Sequence, residues 1–123
     1  MKENSFIILS MLMLSLVSPP AAGTNLWPFM KNEGPMMLFT DEDFELFDRA
    51  LSDALNKQED GAAHSWKNPA TESHGAVTPL RTFDDSGTTC RRTKIVNHAG
   101  GKSATFVFNF CKQADNAWQI VVK

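Results

Sequence analysis

The stretch Cys90–Cys111, CRRTKIVNHAGGKSATFVFNFC, holds both cysteines of the chain and has a Gly-Gly pair near its centre. Gly100-Gly101 suits a two-residue type I′ turn, which needs positive φ at both positions. With that turn fixed, Ala99 faces Lys102, and counting outward sets Cys90 directly opposite Cys111. Ala99–Lys102 is a hydrogen-bonded pair and the pair types alternate from there. The cysteines therefore land on a non-hydrogen-bonded pair, where α-carbons come closest and a bridge fits best. The stretch predicts one long hairpin stapled at its open end. Closing a loop of this size contributes roughly 3 kcal/mol, less any strain. Redox-active pairs sit close in sequence, as in C-x-x-C, so a pair this far apart reads as structural.

The same register sorts the side chains. One face carries Ile95, Phe106, Phe108 and Phe110, an obvious core. The other carries the cysteines, Val96 and Val107, together with Arg92 and Lys94. A turn at Asp115-Asn116 adds Trp118, Ile120 and Val122 to this second face, and a turn at Ser86-Gly87 adds Val77, Arg81 and Phe83. The second face then reads as part apolar and part basic. Its apolar part calls for a cover, either the segment 24–39 or a second subunit.

Strands are predicted at 76–84, 88–98, 103–112 and 117–122, divided by Asp-Ser-Gly, Gly-Gly and Asp-Asn. The polar stretch 58–75 reads as a loop, with a short extended piece around Trp66. Upstream, 40–57 predicts a helix. Thr40 is an N-cap, Asp43 takes the capping-box position, and Asp41 and Glu42 suit the positive end of the helix dipole. Phe44, Phe47, Ala50, Leu51, Ala54 and Leu55 recur at helical spacing and form one apolar stripe. Residues 24–39 are apolar but broken by Pro28, Gly34 and Pro35. They read as an irregular arm that covers the core or touches a partner or membrane.

The chain begins like an export signal. Lys2 precedes the apolar run 6–17, then Ser18-Pro19-Pro20 and Ala21-Ala22-Gly23, which predicts cleavage near Gly23. The run is too short to span a bilayer comfortably. The two cysteines lie far from that point, so lipidation is not expected. Export implies an oxidising compartment, in which a cysteine pair is usually bridged. With 123 residues the chain suits one domain, and its net charge of -2 makes no case for nucleic acid. Residues 24–60 hold nine acidic and three basic side chains, and residues 61–123 hold eight basic and four acidic ones, so the two halves differ in sign.

The usual signs of catalysis are missing. His64 and His74 do not have a recognised metal spacing. There is no Gly-rich phosphate loop and no G-x-S-x-G, and Asp84 and Asp85 would point to opposite faces of a strand. No catalytic residue, metal site or cofactor is expected. Candidate contacts are the basic residues Arg81, Arg92 and Lys94 and the apolar residues Trp27, Phe29 and Trp118. Arg81 and Arg92 would stand directly opposite one another, where like charges disfavour pairing and a bound anion or nearby carboxylate brings relief. Single-stranded nucleic acid is not expected, because the face lacks an aromatic platform beyond Trp118.

In order along the chain stand ALN, SWKNP at 65–69, HGAVTP at 74–79, Thr82, Cys90-Arg91, Cys111 and DNAWQIV at 115–121. This ordered set, over about residues 48–122, resembles the C-terminal surface-antigen domain of the bacterial 17 kDa outer-membrane antigen family. Members of that family are often lipoproteins with a glycine-rich segment ahead of the domain. Here residues 24–39 stand in that place, without a lipidated cysteine. The resemblance implies an envelope-associated, non-enzymatic role, with Trp66, Asn68, Pro69, Gly75, Cys90, Arg91, Cys111 and Trp118 as framework. Asn68-Pro69 and Gly75 would shape turns, and the Trp residues would fill space.

The expected protein is α+β: one N-terminal helix packed on a four-stranded antiparallel β-meander with a cross-strand disulfide. Residues 1–23 are its signal peptide, 24–39 its arm and 40–123 its domain. It would be exported to the periplasm or the outer-membrane surface and act there as an interaction or structural module. Its partner would be an envelope protein or a lipid or glycan component, and homodimerisation is open. The other expectation is a small secreted or periplasmic inhibitor or anion-binding protein that uses the basic sheet face.

Overall fold

The computed structural model describes residues 34–122. The predicted signal peptide, Trp27, Phe29 and most of the arm lie outside the described residues. A short 3-10 helix, Gly34–Leu38, leads into α1 (Asp41–Lys57), followed by β1 (His64–Lys67), β2 (His74–Asp85), β3 (Thr88–Ala99), β4 (Lys102–Lys112) and β5 (Trp118–Val121). The strands form one antiparallel sheet in sequential order, a meander.

The central hairpin is the one the Gly-Gly turn predicts. Gly100 and Gly101 both have positive φ, at 58° and 80°. Ala99 pairs with Lys102 and Cys90 with Cys111. The disulfide joins α-carbons 4.0 Å apart, as befits a non-hydrogen-bonded pair. Five strands form rather than four. The extra one is β1, whose Trp66 pairs with Gly75. Only four residues long at the sheet edge, it is too short to carry a clear alternation, so its pattern reads as loop.

Two register shifts alter the predicted faces. In β2 a bulge lies between Pro79 and Arg81. Below it Arg81 pairs with Arg92, as the Ser86-Gly87 turn requires, but above it Val77 pairs with Ile95. One extra residue moves every side chain beyond it to the other face. Val77 is therefore fully buried in the core rather than placed beside Lys94. The second shift is in the last turn, where Asn116 has φ of 69° and Gln113 and Ala117 are joined by a hydrogen bond. That is a three-residue loop with a left-handed residue, not a two-residue turn at Asp115-Asn116. Trp118 consequently pairs with Lys112 and Ile120 with Phe110, on the core face.

The core lies between this inner face and two covers. Helix α1 sits over β1 and β2 through Phe47, Ala50, Leu51, Ala54 and Leu55, which are buried with Trp66, Val77, Ile95, Phe110 and Trp118. The 3-10 helix sits over β3 and β4 and buries Pro35 and Met36. Phe39 joins the covers, edge-on to Phe44 at 5.2 Å and to Trp66 at 5.4 Å. The described end of the arm thus covers the inner face, while Met37 and Leu38 remain largely exposed. Gly75 is a packing position in β2 rather than a turn. A Cβ there would meet Asn97 Oδ1, the Val96 carbonyl and, at 2.7 Å, Trp66 Nε1.

Candidate functional site

Three buried polar residues, Asp43 of the capping box and Asn68 and Arg91 of the ordered motif set, hold the helix at its two ends. At the N-terminus, Thr40 and Asp43 complete the capping box. The Thr40 N–H donates to the Asp43 carboxylate at 2.9 Å, and the Asp43 N–H donates to the Thr40 hydroxyl at 3.1 Å. Asp43 is fully buried. Its carboxylate also accepts from the Asn68 amide at 2.7 Å and the Thr71 hydroxyl at 2.8 Å. Burial pushes the Asp43 pKa up. The hydrogen bonds from the Thr40 backbone, Thr71 and Asn68 outweigh it and hold the carboxyl below its ordinary range. Asn68 is itself buried and shapes the turn after β1, accepting from the Ala70 N–H at 3.0 Å.

At the C-terminus the agent is Arg91, beside Cys90 but on the inner face and 8% exposed. Its guanidinium donates to the carbonyls of Ala54 at 3.2 Å, Leu55 at 3.0 Å and Gln58 at 2.7 Å. A helix leaves its last carbonyls without intrahelical partners, and its C-terminus carries partial negative charge. One planar guanidinium answers both needs. Arg91 also donates to Thr82 Oγ1 at 2.9 Å and pairs with Asp60 at 2.8 Å. Asp60 accepts from the Thr82 N–H and hydroxyl too. The Arg91 and Thr82 hydrogen bonds hold the Asp60 carboxyl below its ordinary range.

The exposed outer face holds Arg81, Arg92 and Lys94 on adjacent strands β2 and β3. Arg81 and Arg92 are directly opposed. The Arg81 guanidinium lies 4.6 Å from the centre of the Phe83 ring, and Arg92 donates weakly to Asn109 at 3.4 Å. Cys90 and Cys111 are on this face as well, yet both are buried. Trp118 is elsewhere. It is packed in the core at 9% exposure, with its indole N–H donating to Asn56 of α1 at 3.0 Å. The expected apolar contact through Trp118 is therefore withdrawn, since the three-residue turn brings the ring to the inner side. Among the described residues no helix is long and apolar enough to cross a membrane.

The helix clamps were only half visible in the sequence. Thr40-x-x-Asp43 announced the cap, but Asn68, Thr71 and Arg91 reach the helix from distant positions. For Asn68 and Arg91 the only advance signal was membership of the ordered motif set, and Thr71 had none.

These features define an α+β domain whose motif residues serve its interior. They form a stapled meander with a polar clamp at each end of its helix, and they leave a basic outer sheet face in solvent. The chain belongs to the 17 kDa outer membrane surface antigen family, whose model matches residues 53–119. It is 34% identical over 82 residues to the 17 kDa surface antigens of Rickettsia prowazekii (strain Madrid E) and Rickettsia felis. It is 29% identical over 82 residues to that of Rickettsia bellii. Each alignment covers 66% of this chain and 52% of the relative, so the chain spans about half the length of the curated relatives it matches. No solved structure matches.

Proposed function

We propose that the protein is an exported, non-enzymatic module of the bacterial envelope that makes its contacts through the outer sheet face around Arg81, Arg92 and Lys94. The observation that carries this reading is the division of labour among the polar groups. Arg91, Asp43 and Asn68 are spent on holding the helix, whereas Arg81, Arg92 and Lys94 are held out into solvent. The surface-antigen relatives support an outer-membrane or cell-surface location, and the disulfide suits an oxidising compartment. The partner is an envelope protein or an anionic lipid or glycan component.

Fractionation of cells producing the untagged protein, with protease added to intact cells, tests the location. The expected result is sedimentation with outer membrane and clipping on intact cells. Release in soluble form, with protection until the outer membrane is breached, overturns it. That outcome favours the second reading, a soluble inhibitor or anion-binding protein. The direct opposition of Arg81 and Arg92 supports that alternative, because a bound anion relieves it.

A further inference from the structure

The cationic part of the outer sheet face extends beyond Arg81, Arg92 and Lys94. The bulge between Pro79 and Arg81 sets His74 against His98. A straight count back from the Ser86-Gly87 turn would set it against Ala99, on the inner side. Lys67 pairs with His74, and Ser103 with His98, so these four side chains form one row across β1 to β4. Arg81 and Arg92 form another row, roughly 20 Å further along β3 at the usual strand rise. The rows between hold Lys94 and neutral residues such as Ala76, Thr78, Val96 and Thr105. Among the described residues paired across these rows on the outer face, none is acidic.

The histidine end is concave. The His74 and His98 rings are stacked, with centroids 4.5 Å apart and planes 14° from parallel. They line a cleft of about 410 Å³ with Glu72, Lys102 and Ser103. His74 Nδ1 lies 3.0 Å from the Glu72 carbonyl oxygen, which can only accept, so Nδ1 carries the proton of the neutral ring. Nε2 takes up the next proton and then becomes a donor. Stacked imidazolium rings repel one another, as the opposed Arg81 and Arg92 do, and an anion laid over each pair relieves both. The Glu72 carboxylate is the opposing charge at this end. Lys67 and Lys102 outnumber it.

We propose that a linear acidic polysaccharide lies along this strip, with anionic groups on Arg81, Arg92 and Lys94 at one end and in the His74–His98 cleft at the other. The inference rests on the outer face being the contact surface. A narrow line of cations that ends in a cleft suits a single chain better than a planar lipid surface. Phe83 already lies under the Arg81 guanidinium, so it offers no platform on which the bases of a nucleic acid could stack. A guanidinium binds a carboxylate or sulfate through paired hydrogen bonds and stays charged at every working pH. Imidazole gains its charge between about pH 8 and 5. The arginine end therefore holds the chain throughout, and the histidine end adds to it in acid.

The test is calorimetric titration of the untagged full chain, in low salt, with hexagalacturonate and with a heparin hexasaccharide, at about pH 8 and about pH 5.5. Neutral maltohexaose and phosphatidylglycerol vesicles serve as comparisons. The carboxylates and sulfates of the probes stay ionised at both pH values. The expected result is binding of at least one acidic probe, at least about fivefold tighter in acid, and none of maltohexaose. His74→Gln and His98→Gln should each remove about half or more of that pH response and leave the affinity at the higher pH within about twofold. His64→Gln should keep the response, since that ring lies near Asp53 of α1 instead. Unchanged circular dichroism certifies the fold of each variant. A wild-type chain that ignores both acidic probes, or binds the vesicles as tightly, overturns the polysaccharide. A pH response kept in both glutamine variants, or lost equally in His64→Gln, overturns the part played by the cleft. Reversal of Arg92 and Lys94 separates this inference from the reading beneath it. If the reversal abolishes outer-membrane association while the wild type ignores both acidic probes, the contact face stands and its polysaccharide falls. If the reversal leaves association and probe binding unchanged, both fall.

Discussion

The two ends of α1 are held by opposite chemistry. The N-terminal end rests on a buried carboxylate, Asp43, served by local and distant donors. The C-terminal end rests on one cation, Arg91, that reaches across from β3 to three helix carbonyls. Both match the sign of the helix dipole at their end. They differ in how much depends on one side chain. At the N-terminus Thr40, Asn68 and Thr71 share the load. At the C-terminus a single guanidinium joins the helix end, Thr82 and Asp60. The helix should therefore be more vulnerable at its C-terminal clamp.

Removing Arg91 should be the more damaging change. Arg91→Ala takes the guanidinium from the Leu55 and Gln58 carbonyls, and leaves the Ala54 carbonyl with only the Gln58 N–H and Asp60 with only Thr82; it should cost about 3 kcal/mol in urea unfolding. Arg91→Lys should recover only part of this, because an ammonium cannot reproduce the planar fork. Asn68→Ala should cost about 2 kcal/mol, as the buried Asp43 keeps its Thr40 and Thr71 donors. If Asn68→Ala proved the worse of the two, the asymmetry between the clamps would be reversed.

Acid should strain both ends together. The folded pKa values of Asp43 and Asp60 are both depressed below the ordinary value near 3.8. Each carboxylate therefore contributes stability that is fully present above that value and is lost as pH falls through the folded pKa. Urea midpoints should hold steady near neutrality and fall below about pH 4. Asp43→Asn and Asp60→Asn should each flatten that fall, whatever their effect at pH 7.

The clamps also mark what a sequence reveals and what it hides. The capping box was legible because Thr40 and Asp43 are three residues apart. The stapled hairpin was legible because Gly100-Gly101 fixes a register that reaches the cysteines without interruption. Legibility failed wherever one residue was inserted. The bulge before Arg81 turned Val77 inward and brought His74 to His98. The left-handed Asn116 lengthened the last turn and took Trp118 into the core. Neither position carries a glycine to advertise the change. Arg91 was read only as part of a Cys-Arg motif; the hairpin register sets it opposite Phe110 on the core face, but its reach to a helix more than 30 residues earlier is not encoded locally.

The outer face should show the smallest effect on stability. Charge reversal at both Arg92 and Lys94 touches no buried group and should shift unfolding by no more than about 0.5 kcal/mol. The most direct measurement sets this pair against Arg91→Ala, with urea unfolding and outer-membrane association determined on the same three proteins. The expected result is that Arg91→Ala loses about 3 kcal/mol, while the Arg92→Glu, Lys94→Glu variant keeps its stability and loses association. An Arg91→Ala protein with wild-type stability, or a double reversal that stays bound, would contradict it.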